Sequence, residues 1–84
     1  MSVVKVTVYG TTNCAFCKTE RQWLDREGVD YEYVNLDEDE QARMFMHQTL
    51  DITTVPVTMV TRKPEDVEIV LGFDRLRLAM VIGL

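Results

Sequence analysis

The feature that most constrains the fold is a run of β-branched residues near the start of the chain that gives way to a helical pattern. Residues 3–9 are rich in valine and are followed by Gly10, which predicts a β-strand. The valines recur on both faces of the pleat, so we expect a central strand that is covered on both sides. From Ala15 to Arg26 the apolar residues take the spacing of a helix. The first third of the chain therefore predicts a buried strand, a short polar turn and a helix.

The middle of the chain predicts a second strand and a second helix. Residues 31–36 alternate in hydrophobicity, as the residues of a strand do. Asp37 and Glu40 have the spacing of a capping box, which predicts that Asp37 caps a helix. This helix carries a stripe that we expect to face the core, formed by Ala42, Phe45, Met46, Thr49 and Leu50.

The last third of the chain predicts a hairpin and a final helix. Residues 57–61 and 67–71 have the composition of strands, and the short polar link 62–66 predicts that they pair antiparallel. Asp74 can cap a helix that ends near Ile82. The apolar residues of this segment are Phe73, Leu76, Leu78, Ala79, Met80 and Ile82. We expect core positions for most of them, and a patch that faces a partner is the alternative.

The order of the elements sets the fold class. A βαβ unit needs parallel strands joined by a right-handed crossover, whereas the hairpin adds antiparallel strands. The sequence therefore predicts an α/β protein with a mixed four-stranded sheet in the order β-α-β-α-β-β-α, flanked by three helices.

Length and charge limit the classes of function. The 84 residues are enough for one domain, residues 1–84, and too few for two. The net charge of −5 disfavours nucleic acid and anionic membranes as partners. No segment of the sequence approaches the roughly 20 apolar residues of a membrane span, and the N-terminus lacks the apolar stretch of a signal peptide. We therefore expect a soluble, cytoplasmic monomer, in a compartment where structural disulfides are uncommon.

The sequence Cys14-Ala15-Phe16-Cys17 places a C-x-x-C motif between the first strand and its helix. In that position the motif is typical of redox chemistry. Free backbone N–H groups and the helix dipole favour an anion at Cys14, so we expect its thiol pKa to lie below the usual value of about 8.5. Cys17 lies one turn further on, on the face that carries Leu24, and we expect it to be less exposed. The motif predicts Cys14 as the nucleophile and Cys17 as the resolving thiol.

Other uses of the cysteine pair stay open from the residues alone. A tetrahedral metal site needs about four ligands, and the only histidine is His47, in a polar stretch where we expect it to be exposed. Two chains could instead share an iron–sulfur cluster through their cysteines, and this binding function is the main alternative. A structural role is a third use, although a bridge across so small a loop adds little stability.

Several segments give the chain a resemblance to the glutaredoxin and NrdH-redoxin group of thioredoxin-fold proteins. They are the strand, turn and C-x-x-C helix at the start, residues 31–37, the sequence Thr54-Val55-Pro56, and the sequence Gly72-Phe73-Asp74 that opens the last helix. From local statistics alone, the Val55–Pro56 bond is expected to be trans. The resemblance instead implies a cis Pro56 packed beside Cys14.

The resemblance also implies a substrate-binding surface around the cysteine pair. The backbone of Val55 would pair with an incoming peptide or with glutathione, as an added strand does. Arg21 takes the place of a basic residue common in the family's first helix, where it could support the Cys14 thiolate. A solvated helix charge is an equally good interpretation of this arginine. The implied binding residues are Phe16, Arg21, Thr54, Val55, Pro56, Gly72, Phe73 and Asp74.

The chain departs from the glutaredoxin pattern in ways that weaken the implied glutathione site. Glutaredoxins usually carry C-P-Y-C, whereas Ala15 and Phe16 stand here in place of proline and tyrosine. A lysine that binds glutathione often precedes the motif, but residues 11–13 are Thr-Thr-Asn. The family's double glycine is replaced by Leu71-Gly72, and of the NrdH stretch W-S-G-F-R-P only Gly72-Phe73 is present. The sequence thus lies between the two subfamilies.

These observations predict a dithiol electron carrier with no bound cofactor other than its own redox-active disulfide, Cys14–Cys17. Cys14 attacks a substrate disulfide, and Cys17 displaces the reduced substrate. We expect the electrons to come from thioredoxin reductase and NADPH, or from glutathione. The resemblance makes ribonucleotide reductase a natural acceptor.

Overall fold

The computed structural model describes residues 5–63 and 65–84. Its elements in chain order are β1 (Lys5–Gly10), α1 (Ala15–Arg26), β2 (Glu32–Asn35), α2 (Glu40–Met44) with a π-helical continuation (Phe45–Thr49), β3 (Val57–Lys63), β4 (Asp66–Leu71) and α3 (Arg75–Ile82). Every predicted strand and helix is present, and the first two residues of the predicted first strand lie outside the described residues. Within those ranges, no helix is long and apolar enough to cross a membrane.

The four strands form one mixed sheet in the order β2-β1-β3-β4. β1 runs parallel to β2, while β3 pairs antiparallel with both β1 and β4. This arrangement confirms the predicted sheet and its hairpin. β1 lies between two other strands, and its residues Val6, Thr7 and Val8 are all buried, as expected for a strand that is covered on both faces.

Each face of the sheet carries its own hydrophobic core. α1 and α3 cover one face, where the buried residues are Val6, Val8, Trp23, Leu24, Val60, Val70, Leu78 and Val81. α2 and its continuation cover the other face, where the buried residues are Leu36, Met46 and Val57. Successive side chains of a strand point to opposite faces, so a short central strand such as β1 contributes to both cores.

The start of α2 differs from the sequence prediction. Asp39 rather than Asp37 caps the helix, and its carboxylate accepts the Ala42 N–H at 3.0 Å. Asp37 instead accepts the N–H of Thr12 at 2.9 Å, in the turn that precedes the cysteines. Either aspartate could cap a helix by its chemistry. The contact of Asp37 with a distant turn leaves the capping position to Asp39.

The π-helical continuation changes which residues of the predicted stripe face the core. Here the Leu50 N–H bonds to the Phe45 carbonyl, five residues back, so the turn is wider than in an α-helix. Met46 is buried, and Ala42 and Leu50 are partly buried, as predicted. The prediction is wrong for Phe45 and Thr49, which are exposed. A stripe with α-helical spacing cannot stay on one face through a wider turn.

The prediction that most of the apolar residues of the last segment are core is confirmed. The predicted residues that are buried or partly buried are Phe73, Leu78, Ala79 and Ile82. The two exceptions are Leu76 and Met80, which are 80% and 75% exposed. Positions four apart lie on the same side of a helix, and α3 turns this side away from the sheet.

Replacing Leu78 with alanine should destabilise the protein by about 2–5 kcal/mol, because the change leaves a cavity between α3 and the sheet. Replacing Leu76, on the exposed side of the same helix, with alanine should change the free energy of unfolding by less than about 0.5 kcal/mol. Urea unfolding of the parent protein and both variants measures the two differences. Equal destabilisation by the two changes would contradict the orientation of α3.

Candidate active site

The two cysteines lie at the N-terminus of α1 and form a disulfide. Cys14 is the N-cap residue, with an extended backbone (φ −118°, ψ 105°), and its sulfur accepts the N–H of Cys17 at 3.1 Å. Cys14 is partly exposed, whereas Cys17 is only 1% exposed. Phe16, between them, is 68% exposed. A sulfur at the N-cap receives hydrogen bonds from free backbone N–H groups, so this position stabilises negative charge on Cys14.

Gly10, the last residue of β1, allows α1 to approach the sheet this closely. A Cβ atom at this position would lie 2.7 Å from the Cys17 sulfur and 2.5 Å from the Tyr33 hydroxyl. Any side chain there would have to displace both of these groups. The Tyr33 hydroxyl also donates to the Thr11 carbonyl at 3.2 Å, so β2 helps to hold the turn that leads to Cys14.

A second loop reaches the same end of the sheet through a cis peptide bond between Val55 and Pro56. This confirms the cis proline implied by the resemblance. β3 begins directly after the loop, and Val57 pairs with Tyr9, so the loop lies at the end of β1 that leads to the cysteines. Pro56 is buried, Val55 is partly buried and Thr54 is exposed.

The turn between β4 and α3 is tied to this cis-proline loop. The Gly72 N–H donates to the Pro56 carbonyl at 2.8 Å. Gly72 has a φ of +74°, a left-handed conformation that glycine adopts without strain. Leu71, which precedes it, pairs with Val57. Three segments that are far apart in the sequence therefore meet at one end of the sheet.

The first residues of α3 confirm one prediction and add a contact. Asp74 caps the helix, as predicted, by accepting the Arg77 N–H at 3.1 Å. Phe73 is partly buried and packs edge-on against Trp23 of α1, with the ring centroids 5.9 Å apart. This aromatic pair joins the start of α3 to the helix that carries the cysteines.

Arg21 contacts β2 rather than a loop of the site. Its guanidinium lies 3.9 Å from the centre of the Tyr33 ring, as a cation–π pair. Burial raises the pKa of the Tyr33 hydroxyl, and the positive charge of Arg21 partly opposes this effect. Support of the Cys14 thiolate by Arg21 stays a prediction.

Glu20 of α1 is a buried acid, because none of its surface is exposed. The sequence prediction does not include this burial. The Thr58 hydroxyl of β3 donates to one carboxylate oxygen, Oε2. The other oxygen, Oε1, has no hydrogen-bond partner within the described ranges. A signal for this burial exists in the sequence, because Cys17, Glu20 and Leu24 have the spacing of a single helix face.

Burial raises the pKa of the Glu20 carboxyl above its ordinary value, because the charged form loses its hydration. The hydrogen bond from Thr58 acts in the opposite direction and is the smaller effect on this pKa. Among the residues that the structure describes, no charged side chain contributes to the shift. The protonation of Glu20 is therefore set by the core of the protein and not by an ion pair.

A mixed sheet flanked by three helices, with a C-x-x-C disulfide at the start of the first helix, defines a thioredoxin-fold protein of the thiol–disulfide class. A variant of the thioredoxin-like protein BC3987 superimposes on 95% of this chain and 96% of its own, with a TM-score of 0.82 and 24% identity. The glutaredoxin Grx-1 of Archaeoglobus fulgidus superimposes on 93% of this chain and 85% of its own, with a TM-score of 0.71 and 31% identity.

The glutaredoxin family model matches residues 6–64, and the chain belongs to this family. A glutaredoxin-like 8.6 kDa protein from the rubredoxin operon of Clostridium pasteurianum is 26% identical over 77 residues, which are 92% of this chain and 96% of that protein. The gene 56 protein of Mycobacterium phage D29 is 33% identical over 52 residues, which are 62% of this chain and only 58% of the phage protein. Family and cysteine pair together support thiol–disulfide oxidoreductase chemistry.

Replacing Glu20 with glutamine should make the stability of the oxidised protein less dependent on pH. A carboxyl whose pKa is raised by folding binds its proton more tightly in the folded state, so its contribution to stability is complete in acid and is lost as the pH rises through the folded pKa. Between the unfolded and folded pKa values, the loss is roughly 1.4 kcal/mol per pH unit.

Urea unfolding of the parent protein and the Glu20→Gln variant, from about pH 4 to pH 8, measures this effect. The parent should lose stability relative to the variant as the pH rises. Parallel stability curves would contradict the burial of an ionisable carboxyl at this position.

Proposed function

We propose that the protein is a dithiol electron carrier that reduces disulfides in proteins or small molecules through Cys14 and Cys17. The observation that supports this function is the unequal placement of the two sulfurs: Cys14 is accessible at a helix N-cap, and Cys17 is buried one turn further on. An accessible thiol whose charge is stabilised by backbone N–H groups forms the attacking thiolate most readily. A buried thiol beside it is suited to release a bound substrate.

The proposed reaction has two exchanges and one reset. The Cys14 thiolate attacks one sulfur of the substrate disulfide, forms a mixed disulfide and releases the other sulfur as a thiolate. Cys17 then attacks Cys14, forms the Cys14–Cys17 disulfide and releases the second substrate sulfur. An external reductant delivers two electrons to this disulfide and restores both thiols.

The substrate would bind where the loops meet around the cysteines. The partly buried Val55 offers its backbone for strand addition. The exposed ring of Phe16 offers an apolar contact. The other residues that we propose for binding are Arg21, Thr54, Pro56, Gly72, Phe73 and Asp74. A disulfide on an extended protein segment fits such an edge, and ribonucleotide reductase is the acceptor that we propose, from the family resemblance alone.

The charge around the site favours a protein over glutathione as the electron donor. Glutathione is an anion at neutral pH, and a small site holds it by pairing its carboxylates with cations and backbone donors. Residues 11–13 supply no cation, Arg21 is engaged by an aromatic ring, and Arg77 pairs with Glu68 at 3.1 Å. A flavoenzyme of the thioredoxin reductase type, which uses NADPH, can instead dock on an exposed apolar residue such as Phe16.

Replacing Cys14 with serine should abolish disulfide reduction, because the attacking thiolate is lost. Replacing Cys17 with serine should leave the attack intact and trap the mixed disulfide. Intact mass measured after each reduced variant is mixed with a small aromatic disulfide distinguishes the two results. Trapping by the Cys14→Ser variant, with an inert Cys17→Ser variant, would reverse the assignment.

Thioredoxin reductase with NADPH should reduce this protein faster than glutathione does, because residues 11–13 offer the anionic tripeptide no cation and Arg21 and Arg77 are already engaged. The measurement is the oxidation of NADPH in two coupled assays, one with the flavoenzyme and one with glutathione and glutathione reductase, at matched donor concentrations. A Phe16→Ala variant should be impaired with the flavoenzyme. Faster turnover with glutathione would overturn the proposed donor.

A further inference from the structure

The second exchange needs a group that takes the proton from Cys17. Cys17 is only 1% exposed, so its thiol has little contact with bulk water. Among the residues that the structure describes, the buried polar side chains are Thr7, Glu20 and Thr58. Thr7 points to the opposite face of the sheet, because side chains alternate along β1. Glu20 and Thr58 are on the side of Cys17, and of these two only Glu20 has a carboxylate that becomes neutral when it accepts a proton.

The position of Glu20 suits this task. Residues three apart on a helix are neighbours on its surface, with Cβ atoms roughly 5–6 Å apart, which places Glu20 beside Cys17. Cys17 lies against Gly10 of β1, and Glu20 reaches Thr58 of β3. Thr58 pairs with Val8, two residues before Gly10, so both side chains of α1 lie over the same part of the sheet. The unpartnered Oε1 of Glu20 leaves a lone pair free to accept a proton.

The other groups around this space do not compete for the proton. The Tyr33 hydroxyl lies near Cys17 at Gly10, but burial raises its pKa, so it keeps its own proton at neutral pH. The guanidinium of Arg21 lies over the Tyr33 ring and has no proton-accepting atom. From β4 and α3, the residues buried on this face are apolar and are Val70, Leu78 and Val81.

We propose that Glu20 accepts the proton of Cys17 in the second exchange, an inference that rests on the proposed function. The Cys17 S–H bond breaks and the proton moves to the Glu20 carboxylate, directly or through one water molecule. The Cys17 thiolate attacks Cys14, the Cys14–Cys17 bond forms, and the bond from Cys14 to the substrate breaks. The substrate sulfur leaves as a thiolate with the electron pair of that bond.

The reset returns the same proton. A thiolate of the external reductant attacks Cys14 and forms a mixed disulfide with it, the Cys14–Cys17 bond breaks, and Cys17 leaves with the electron pair. A second thiolate of the reductant then attacks the first reductant sulfur, which forms the disulfide of the oxidised reductant and releases Cys14 as a thiolate. The Glu20 carboxyl gives its proton to the departing Cys17 thiolate, which restores the thiol and the carboxylate. The absence of a paired charge beside Glu20 within the described residues suits this exchange, since no ion pair holds the carboxylate in its charged form.

The test separates the two exchanges by mixing reduced protein with one equivalent of dithiobis(nitrobenzoate) in a stopped-flow spectrometer. The first thionitrobenzoate released reports the attack by Cys14, and the second reports the attack by Cys17. In the Glu20→Gln variant the first rate should be unchanged, and the second should fall by about tenfold or more at neutral pH. Its second rate should rise about tenfold per pH unit, as for a thiol that ionises unaided.

Two further variants control this test. Glu27→Gln removes an exposed carboxylate just after α1 and should change neither rate. Thr58→Val removes the hydrogen bond to Glu20 but keeps the carboxylate, so it should move the pH profile of the second rate to higher pH and leave the first rate unchanged. If the Glu20→Gln variant does not fold, the pH profile of the second rate in the Thr58→Val variant tests the role of Glu20.

Each outcome distinguishes the two proposals. The role of Glu20 would be overturned if the rate and pH profile of the second release stayed unchanged in the Glu20→Gln variant. If that variant is unfolded, an unchanged profile in the Thr58→Val variant would overturn it. Either result would leave the dithiol function intact. A parent protein that releases no thionitrobenzoate would overturn the proposed function, and the role of Glu20 with it.

Discussion

Three residues of α1, Cys17, Glu20 and Leu24, lie on the sheet with 1% or less of their surface exposed. Leu24 belongs to the hydrophobic core, Cys17 to the disulfide, and Glu20 to a hydrogen bond with β3. One helix face therefore carries the packing, the redox pair and the buried acid. Because these residues share one rigid element, a shift of α1 that loosens the core also displaces the reacting sulfur.

The sheet order explains why the site forms where it does. β1 and β3 are neighbours that run in opposite directions, so the end of β1 lies beside the start of β3. β4 runs antiparallel to β3, so its end lies there too. Three segments adjoin these strand ends: the turn before Cys14, the cis-proline loop and the turn at Gly72. The directions of the strands therefore bring the site together, and short loops are enough to complete it.

Local signals made most of the fold predictable. The strand at β1, the helix at α1 and the cap at Asp74 each depend on residues within a few positions of one another, and all three are confirmed. The cis bond at Pro56 was predicted only through the family resemblance, since local statistics favour the trans form.

The errors arise where a distant contact or an unusual turn decides the structure. Asp37 and Asp39 are equally good caps, and only the long-range bond of Asp37 to Thr12 separates them. The π-helical turn at Phe45 breaks the periodicity on which the core prediction depends. Glu20 has the spacing of the helix face that carries Cys17 and Leu24, yet a charged residue is seldom fully buried, so its burial was not predicted.

The close approach at Gly10 has a consequence for how sequences that carry this site can vary. The volume that a side chain would need there is already filled by the Cys17 sulfur and the Tyr33 hydroxyl. Since the sulfur is required for the chemistry, a smaller residue at position 33 would not make room for a side chain at position 10, which would still meet Cys17. Position 10 is therefore tied to the cysteine helix rather than free to vary with its neighbour. A designer who transplants the cysteine turn onto another strand has to bring the glycine with it.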